Sequence, residues 1–272
     1  MDPPAGFRRA HAGVRPGTWS DDGAQLLCLA SSLLHCDRLD VDDLGRRLVN
    51  WYEHGYCAVD GHVFDVGIQT RRALVAIRSG VPTMQAAPRD ERSNGNGSLM
   101  RVLPLALWHR GDDASLVEDA MAQSSVTHAH PRSRVCCALY VLWARRALEG
   151  HADAWERATA ALRALLPRDC EERAELETHV RPDDPAPGTG SGYVVDTLRS
   201  ARSVLLGETE YERVVRAAIS LGDDTDTTAC VAGGIAGIAV GVDGIPRRWR
   251  DALRGMELVS PVLDALIARA EH

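Results

Sequence analysis

Lysine is missing from this 272-residue chain, and all 31 basic residues are arginine. That absence rules out Schiff-base catalysis and a phosphate-gripping P-loop lysine. A basic excess is missing too. With 38 acidic residues the net charge is -7, which argues against broad nucleic-acid binding, since that needs an electropositive face to displace counterions from phosphate. The seven cysteines are an odd number and never fall in a C-x-x-C spacing. Cys136 and Cys137 are adjacent, and Cys28, Cys57 and Cys230 sit in mainly apolar stretches. Reduced core thiols of a cytoplasmic protein are expected, not zinc ligands or a disulfide frame. No signal peptide is visible in the polar, Pro/Gly-rich N-terminus. The most apolar run, Ala229 to Val242, falls short of the about 20 residues that span a bilayer and is read as a buried helix. Alternating strands and solenoid-length repeats are also absent.

Helical periodicity is what remains. It predicts helices over Ala24 to Leu34, Val41 to Tyr52, Gly67 to Arg78, Leu99 to Trp108, Ala114 to Ser124, Arg132 to Glu149, Ala154 to Leu166, Val194 to Leu206, Glu210 to Leu221 and Thr227 to Val240. An amphipathic pair follows at the C-terminus. Residues 85–98 and the segment Arg181 to Gly192 (RPDDPAPGTGSG) read as loops, the second long enough to be functional. An all-α fold is expected, organised as an N-terminal extension over 1–17, irregular, and one domain over 18–272.

Two acidic clusters stand at helix starts. For Ser20-Asp21-Asp22 alone, N-capping is the ordinary explanation. Asp223, Asp224 and Asp226, interleaved with Thr225, Thr227 and Thr228, exceed what one cap needs. Adjacent anions repel, and the nearly apolar, Gly- and Ala-rich helix that follows predicts a central position. Carboxylates turned inward there require a cation. Oxygen donors favour a hard ion such as Mg²⁺, Mn²⁺ or Ca²⁺ over zinc. Asp224, Asp226 and Thr227 can present three oxygens within one turn, and two clusters suggest a two-metal site. An EF-hand lacks its glycine and glutamate here, and the Gly188-Gly190-Gly192 spacing fails the dinucleotide fingerprint.

The segments WSDDGAQ, FDVGIQT, NGNGSLMRVLPLAL, THAHP, GSGYVVDTL and GDDTDTTACVAGGIAGI, in this order, resemble the ADP-ribosylglycohydrolase family, the dinitrogenase reductase-activating glycohydrolases among them, from about Thr18 to Val240. D-T-D-T-T with its small-residue helix is the most specific of these marks. The resemblance implies an orthogonal multi-helix bundle holding two divalent cations, Mg²⁺ or Mn²⁺. It maps the metal ligands onto Ser20, Asp21, Asp22, Asp224, Asp226 and Thr227, leaving out Asp223, where the family often has glycine. It also implies diphosphate contact from Asn96, Gly97 and Ser98, and a ligand-pocket role for His128 but not His130. The acidic residue of its D-(I/V)-G motif falls on Asp65, the candidate general acid/base. Family members usually open with a G-D-A-x-G helix, followed by an acidic residue near the substrate. The residues before Thr18 do not match it, so a bundle without that first helix is expected.

Glycines before a helix start let backbone N–H groups approach an anion, which fits 94–98 independently. Gly190, Ser191, Gly192 and Tyr193 are read as a ligand-lining loop, with the Tyr193 ring stacking on a base. Arg101 is structural, paired with a metal-ligand carboxylate, or in contact with the ligand. The expected activity is metal-dependent removal of ADP-ribose from a modified protein side chain or another small conjugate, by cleavage of an anomeric C–N or C–O bond. A non-catalytic ADP-ribose-binding relative and a different dinuclear nucleotide hydrolase remain as alternatives. No membrane or nucleic-acid partner is expected.

Overall fold

The computed structural model describes residues 10–184 and 186–270. Fourteen α-helices run through them. In order they are α1 (Asp21–Cys36), α2 (Val41–His54), α3 (Ile68–Arg78), α4 (Thr83–Ala86), α5 (Leu103–Trp108), α6 (Asp113–Ser125) and α7 (Pro131–Leu148). After these come α8 (Ala154–Leu165), α9 (Glu171–Glu175), α10 (Val194–Gly207), α11 (Tyr211–Ser220), α12 (Thr225–Gly244), α13 (Arg247–Ala252) and α14 (Met256–Ala270). Among the described residues there is no strand, and the one isolated bridge pairs Gly95 with Tyr193. Residues 10–17 form turns, and residues 1–9 of the expected extension lie outside the described residues.

Local chemistry sets most boundaries. Asp40 caps α2 by accepting from the Asp43 N–H at 2.9 Å, and Gly55 ends it at φ 71°. Its apolar face, Leu44, Leu48 and Trp51, is buried, each such side chain stabilising the fold by about 1.5–3 kcal/mol. The spine is α7, buried almost continuously from Val135 to Ala144 and packed against α5, α6, α8, α10 and α12. The Tyr140 hydroxyl donates to the Val231 carbonyl at 2.9 Å and ties α7 to α12.

Three expectations need correction, and one segment without an expectation proves helical. The helix expected from Leu99 begins at Leu103, and 99–102 form turns. Pro104, which has no N–H to donate, suits the first turn of a helix and not its interior. The loop expected from residue 85 begins after the short α4 (Thr83–Ala86), which takes in Gln85 and Ala86. Residues 171–180, which carried no expectation, form α9 and a π-helical turn over Leu176–Val180. Finally, α12 is longer than the apolar run suggested, at 20 residues, with a break at Gly241 (φ 68°). It is the one described helix long and apolar enough to cross a membrane. Its first half, from Thr227 to Ala236, is largely buried, whereas its last turns are exposed. The central position therefore applies to the half that starts at the acidic cluster.

Candidate active centre

The first turns of α1 and α12 lie side by side. The Thr227 hydroxyl donates to Asp22 Oδ2 at 3.4 Å across 205 positions of sequence, and the Ser20 hydroxyl donates to the same oxygen at 3.0 Å. Carboxylate oxygens of Asp21, Asp65 and Asp226 lie within 4.8 Å of one another. Capping does not explain these groups. Ser20 and Asp224 occupy the N-cap positions of α1 and α12, and neither side chain makes a cap hydrogen bond.

Asp21 and Asp22 are buried. Burial first, then the anions Asp226 and Asp224, pushes Asp22 up to about 8. Burial and the carboxylates of Asp22, Asp65 and Asp226 likewise raise Asp21 well above the usual range. Asp224 is raised by burial, opposed by a hydrogen bond from Asn96. Asp22 Oδ1 is buried without a hydrogen-bond partner. Crowded carboxylates, an orphaned oxygen and hard-donor chemistry together fit divalent cations. Asp65 enters this group from a strained position, its backbone in the left-handed region at φ 58°, with His11 Nε2 at 3.2 Å. Asp223 is left-handed as well (φ 57°), a conformation that glycine adopts at least cost.

Around this centre the expected ligand loops interlock. The Asn96 amide donates to Asp224 Oδ2 and to the Thr197 hydroxyl, both at 2.9 Å, so its side chain positions Asp224. Ser98 is turned inward, its hydroxyl 2.8 Å from that of Ser124. Loop backbone is left to meet an anion. Gly95 N–H is taken by Gln69 Oε1 and Asn96 N–H by the Gly192 carbonyl, whereas Gly97 and Ser98 N–H have no intrachain partner among the described residues. Because α5 starts only at Leu103, a helix dipole at Leu99 adds nothing here. His128 is buried beneath the loop instead of facing an open cleft. Its Nδ1 meets the Thr127 hydroxyl at 2.8 Å, and a Cβ at Gly97 would come within 2.9 Å of its ring. Burial, with Arg101 nearby, lowers it to about 3 and keeps the imidazole neutral. His130 accepts the Arg132 N–H, a capping role.

The 188–193 loop packs on the α12 start. The Gly190 carbonyl accepts from Asp224 N–H at 2.8 Å, and a Cβ on Gly192 would sit 3.0 Å from Asp224 Oδ2. Ser191 is committed to Asp196, to which its N–H and hydroxyl donate at 2.7 and 2.9 Å. Tyr193 remains partly exposed. Arg101 is fully buried and makes no direct ion pair with the cluster. Its guanidinium donates to Gln25 Oε1 at 2.9 Å, and Gln25 in turn donates to Asp21 Oδ2 at 3.3 Å. Gln25, Gln69, Asp196 and Thr197 were not singled out from sequence. All four lie inside the quoted motifs, but their roles depend on partners far along the chain.

The described residues thus form an all-helical bundle with side-chain oxygens gathered at two helix starts and flanked by a glycine loop. Comparison with known proteins gives the family. The ADP-ribosylglycohydrolase sequence profile matches residues 2–272. The chain is 32% identical over 260 residues to the ADP-ribosylarginine hydrolase Tri1 of Pseudomonas putida (strain GB-1), covering 93% of this chain and 67% of that protein. It is 30% identical over 264 residues to the ADP-ribosyl-[dinitrogen reductase] glycohydrolase of Rhodospirillum rubrum, covering 94% and 81%. A solved structure titled as an ADP-ribosylglycohydrolase-related protein complex superposes with a TM-score of 0.75 at 30% identity, over 94% of this chain and 83% of that one. The chain belongs to the ADP-ribosylglycohydrolase family and is a hydrolase of that type.

Proposed function

We propose that the chain hydrolyses the bond between the anomeric carbon of ADP-ribose and the guanidino nitrogen of a modified arginine. The observation that carries this reading is the convergence of Asp21, Asp65 and Asp226 within 4.8 Å, beside a glycine loop in which the partly exposed Gly97 keeps an N–H without an intrachain partner among the described residues. The arginine acceptor rests on similarity to Tri1, which is named for ADP-ribosylarginine.

Ser20, Asp21, Asp22, Asp224, Asp226 and Thr227 would hold two divalent cations, Mg²⁺ or Mn²⁺, with Asp65 at their edge. When bound, such ions orient ribose hydroxyls and acidify water. The protein's own groups do the rest. The Gly97 N–H, at the partly exposed end of this loop, receives the diphosphate. Asn96 and Gly192 hold Asp224 in place. As the acceptor leaves, positive charge grows on the anomeric carbon, and the surrounding carboxylates stabilise it. Asp65, whose side chain is about half exposed, takes the proton from the attacking water. The Tyr193 ring carries the base.

The test is ADP-ribose release from arginine-modified and serine-modified protein, with and without Mg²⁺ or Mn²⁺, for the unaltered chain and an Asp224→Ala/Asp226→Ala variant. Metal-dependent release from arginine, reduced at least about a hundredfold in the variant, supports the reading. Release from serine alone would move the acceptor. Release of phosphate or nucleotide in place of ADP-ribose would overturn the reading.

A further inference from the structure

A second set of titratable groups lies apart from the acidic centre and takes no part in the chemistry above. Glu91, His130 and Glu175 bring their ligand atoms within 4.8 Å of one another, but these carboxylates already have a cation. Arg132, buried in the first turn of α7, donates through Nε to Glu175 Oε2 at 2.7 Å and through one terminal nitrogen to Glu91 Oε1 at 2.7 Å. Its other terminal nitrogen donates to the Tyr193 hydroxyl at 3.2 Å, with the guanidinium carbon 5.9 Å from the ring centroid. Every nitrogen of the fork is therefore engaged, the one on Glu91 also donating to Glu175 Oε1 at 3.5 Å. The arginine backbone is held too, since its N–H donates to His130 Nδ1 at 3.1 Å.

Tyr193 is fixed from the other end by its main chain. Val194 N–H donates to the Asn94 carbonyl at 3.0 Å, and Asn96 N–H donates to the Gly192 carbonyl at 3.1 Å. These bonds form the bridge between Gly95 and Tyr193. The ring stands at the rim, 38% exposed. An exposed aromatic side chain ordinarily loses rotamer freedom when a ligand stacks on it, and that loss weakens binding unless the ring is already fixed. A rigid, planar guanidinium anchored by two carboxylates supplies such fixing in a way that a lysine ammonium does not.

We propose that Arg132 is a positioning residue for base recognition. Held by Glu175 and Glu91, it fixes the Tyr193 ring by its hydroxyl, so that α7, α9 and the 94–96 strip present a preformed base platform continuous with the diphosphate-binding backbone. This rests on the reading that ADP-ribose is the bound group and adds to it a residue that touches neither ligand nor metal.

The experiment measures binding of ADP-ribose, ADP and ribose 5-phosphate by titration calorimetry. The proteins are the unaltered chain, Arg132→Gln, Tyr193→Phe, Tyr193→Ala and Arg132→Gln/Tyr193→Ala. Tyr193→Phe keeps the ring and the fold and removes only the tether, so it carries the test if Arg132→Gln fails to fold. Arg132→Gln and Tyr193→Ala are each expected to weaken ADP-ribose and ADP on the order of tenfold, and Tyr193→Phe about threefold, with ribose 5-phosphate unchanged. The double variant is expected to be no worse than Tyr193→Ala, because both substitutions remove one device. In turnover, Arg132→Gln raises KM by a similar factor and leaves kcat within about twofold. Equal losses for ADP and ribose 5-phosphate, or additive losses in the double variant, would show general damage and overturn the proposal. So would a Tyr193→Phe protein that binds like the unaltered chain. If the unaltered chain binds no ADP-ribose, the functional reading falls and this one with it. If it binds and the Arg132 and Tyr193 variants bind equally well, only this inference falls.

Discussion

The acidic centre and the Arg132 network both join buried charge to charge at the surface, yet they are opposites. At α1 and α12, carboxylates face one another, Asp22 is pushed up to about 8, and Asp22 Oδ1 has no partner. Around Arg132, each guanidinium nitrogen meets an acceptor, and Glu91 is held below the usual carboxylate range, chiefly by its hydrogen bond from Arg132. The first region is electrostatically incomplete and fits added cations. The second is complete in itself and serves as scaffold. Burial of charge alone thus does not mark a reactive site, whereas charge of one sign with unsatisfied donor atoms does.

The comparison is broken most strongly by substituting on the incomplete side. Asp22→Asn is expected to abolish the Mg²⁺-induced rise in Tm and to lower turnover at least about a hundredfold. It should also leave the metal-free protein as stable as before or more stable, because a repelled, desolvated carboxylate is gone. Thermal melts with and without Mg²⁺ check both halves, and a metal-free protein clearly destabilised by Asp22→Asn would contradict the account. On the complete side, Arg132→Ala is expected to destabilise the fold by about 2–3 kcal/mol with or without Mg²⁺. Glu175 is the shielded partner there, while the exposed Glu91 adds little. Urea unfolding under both conditions reads this directly.

A smaller effect concerns pH. Asp22 has a folded-state value above its unfolded one, so the stability it contributes is fully present only below the ordinary 3.8 and is lost progressively as pH rises through about 8. The metal-free protein should lose about 1–2 kcal/mol between pH 6 and 8 from this group. Excess Mg²⁺ should remove or reverse that loss, because cations select the ionised form. His128 acts with the opposite sign. Lowered to about 3, it favours the fold above the ordinary histidine range, and that contribution is lost as pH falls. Melts of His128→Gln should accordingly show a shallower decline below pH 6.5, the unperturbed value.

Much of the helical framework was legible in the residues. The helical spacing of Leu44, Leu48 and Trp51 reflects contacts between near neighbours, which periodicity records, whereas the Asp40 cap and the Gly55 stop were seen only in the structure. Pro104 carried its own correction, since a helix through 99–108 would have placed a residue without an N–H in its interior. The cluster at Asp223 to Asp226 stood out because three anions in four positions exceed the needs of a cap. The roles of Asn96, Ser98 and His128 were not legible, because whether a loop side chain faces ligand or packing depends on what lies behind it. Asn96 turns to Asp224, Ser98 to Ser124, and His128 supports Gly97 from below.

Sequence by itself determined the helical class, the absence of lysine chemistry, and the two oxygen-rich helix starts, since composition and short-range periodicity contain these. Only the tertiary structure decided that Asp22 and Thr227, 205 positions apart, share a hydrogen bond, that Asp65 joins them, and that Arg132 holds Tyr193. Such contacts arise from the packing of α1, α7 and α12 around one core, and local sequence carries no record of which distant side chains that packing brings together.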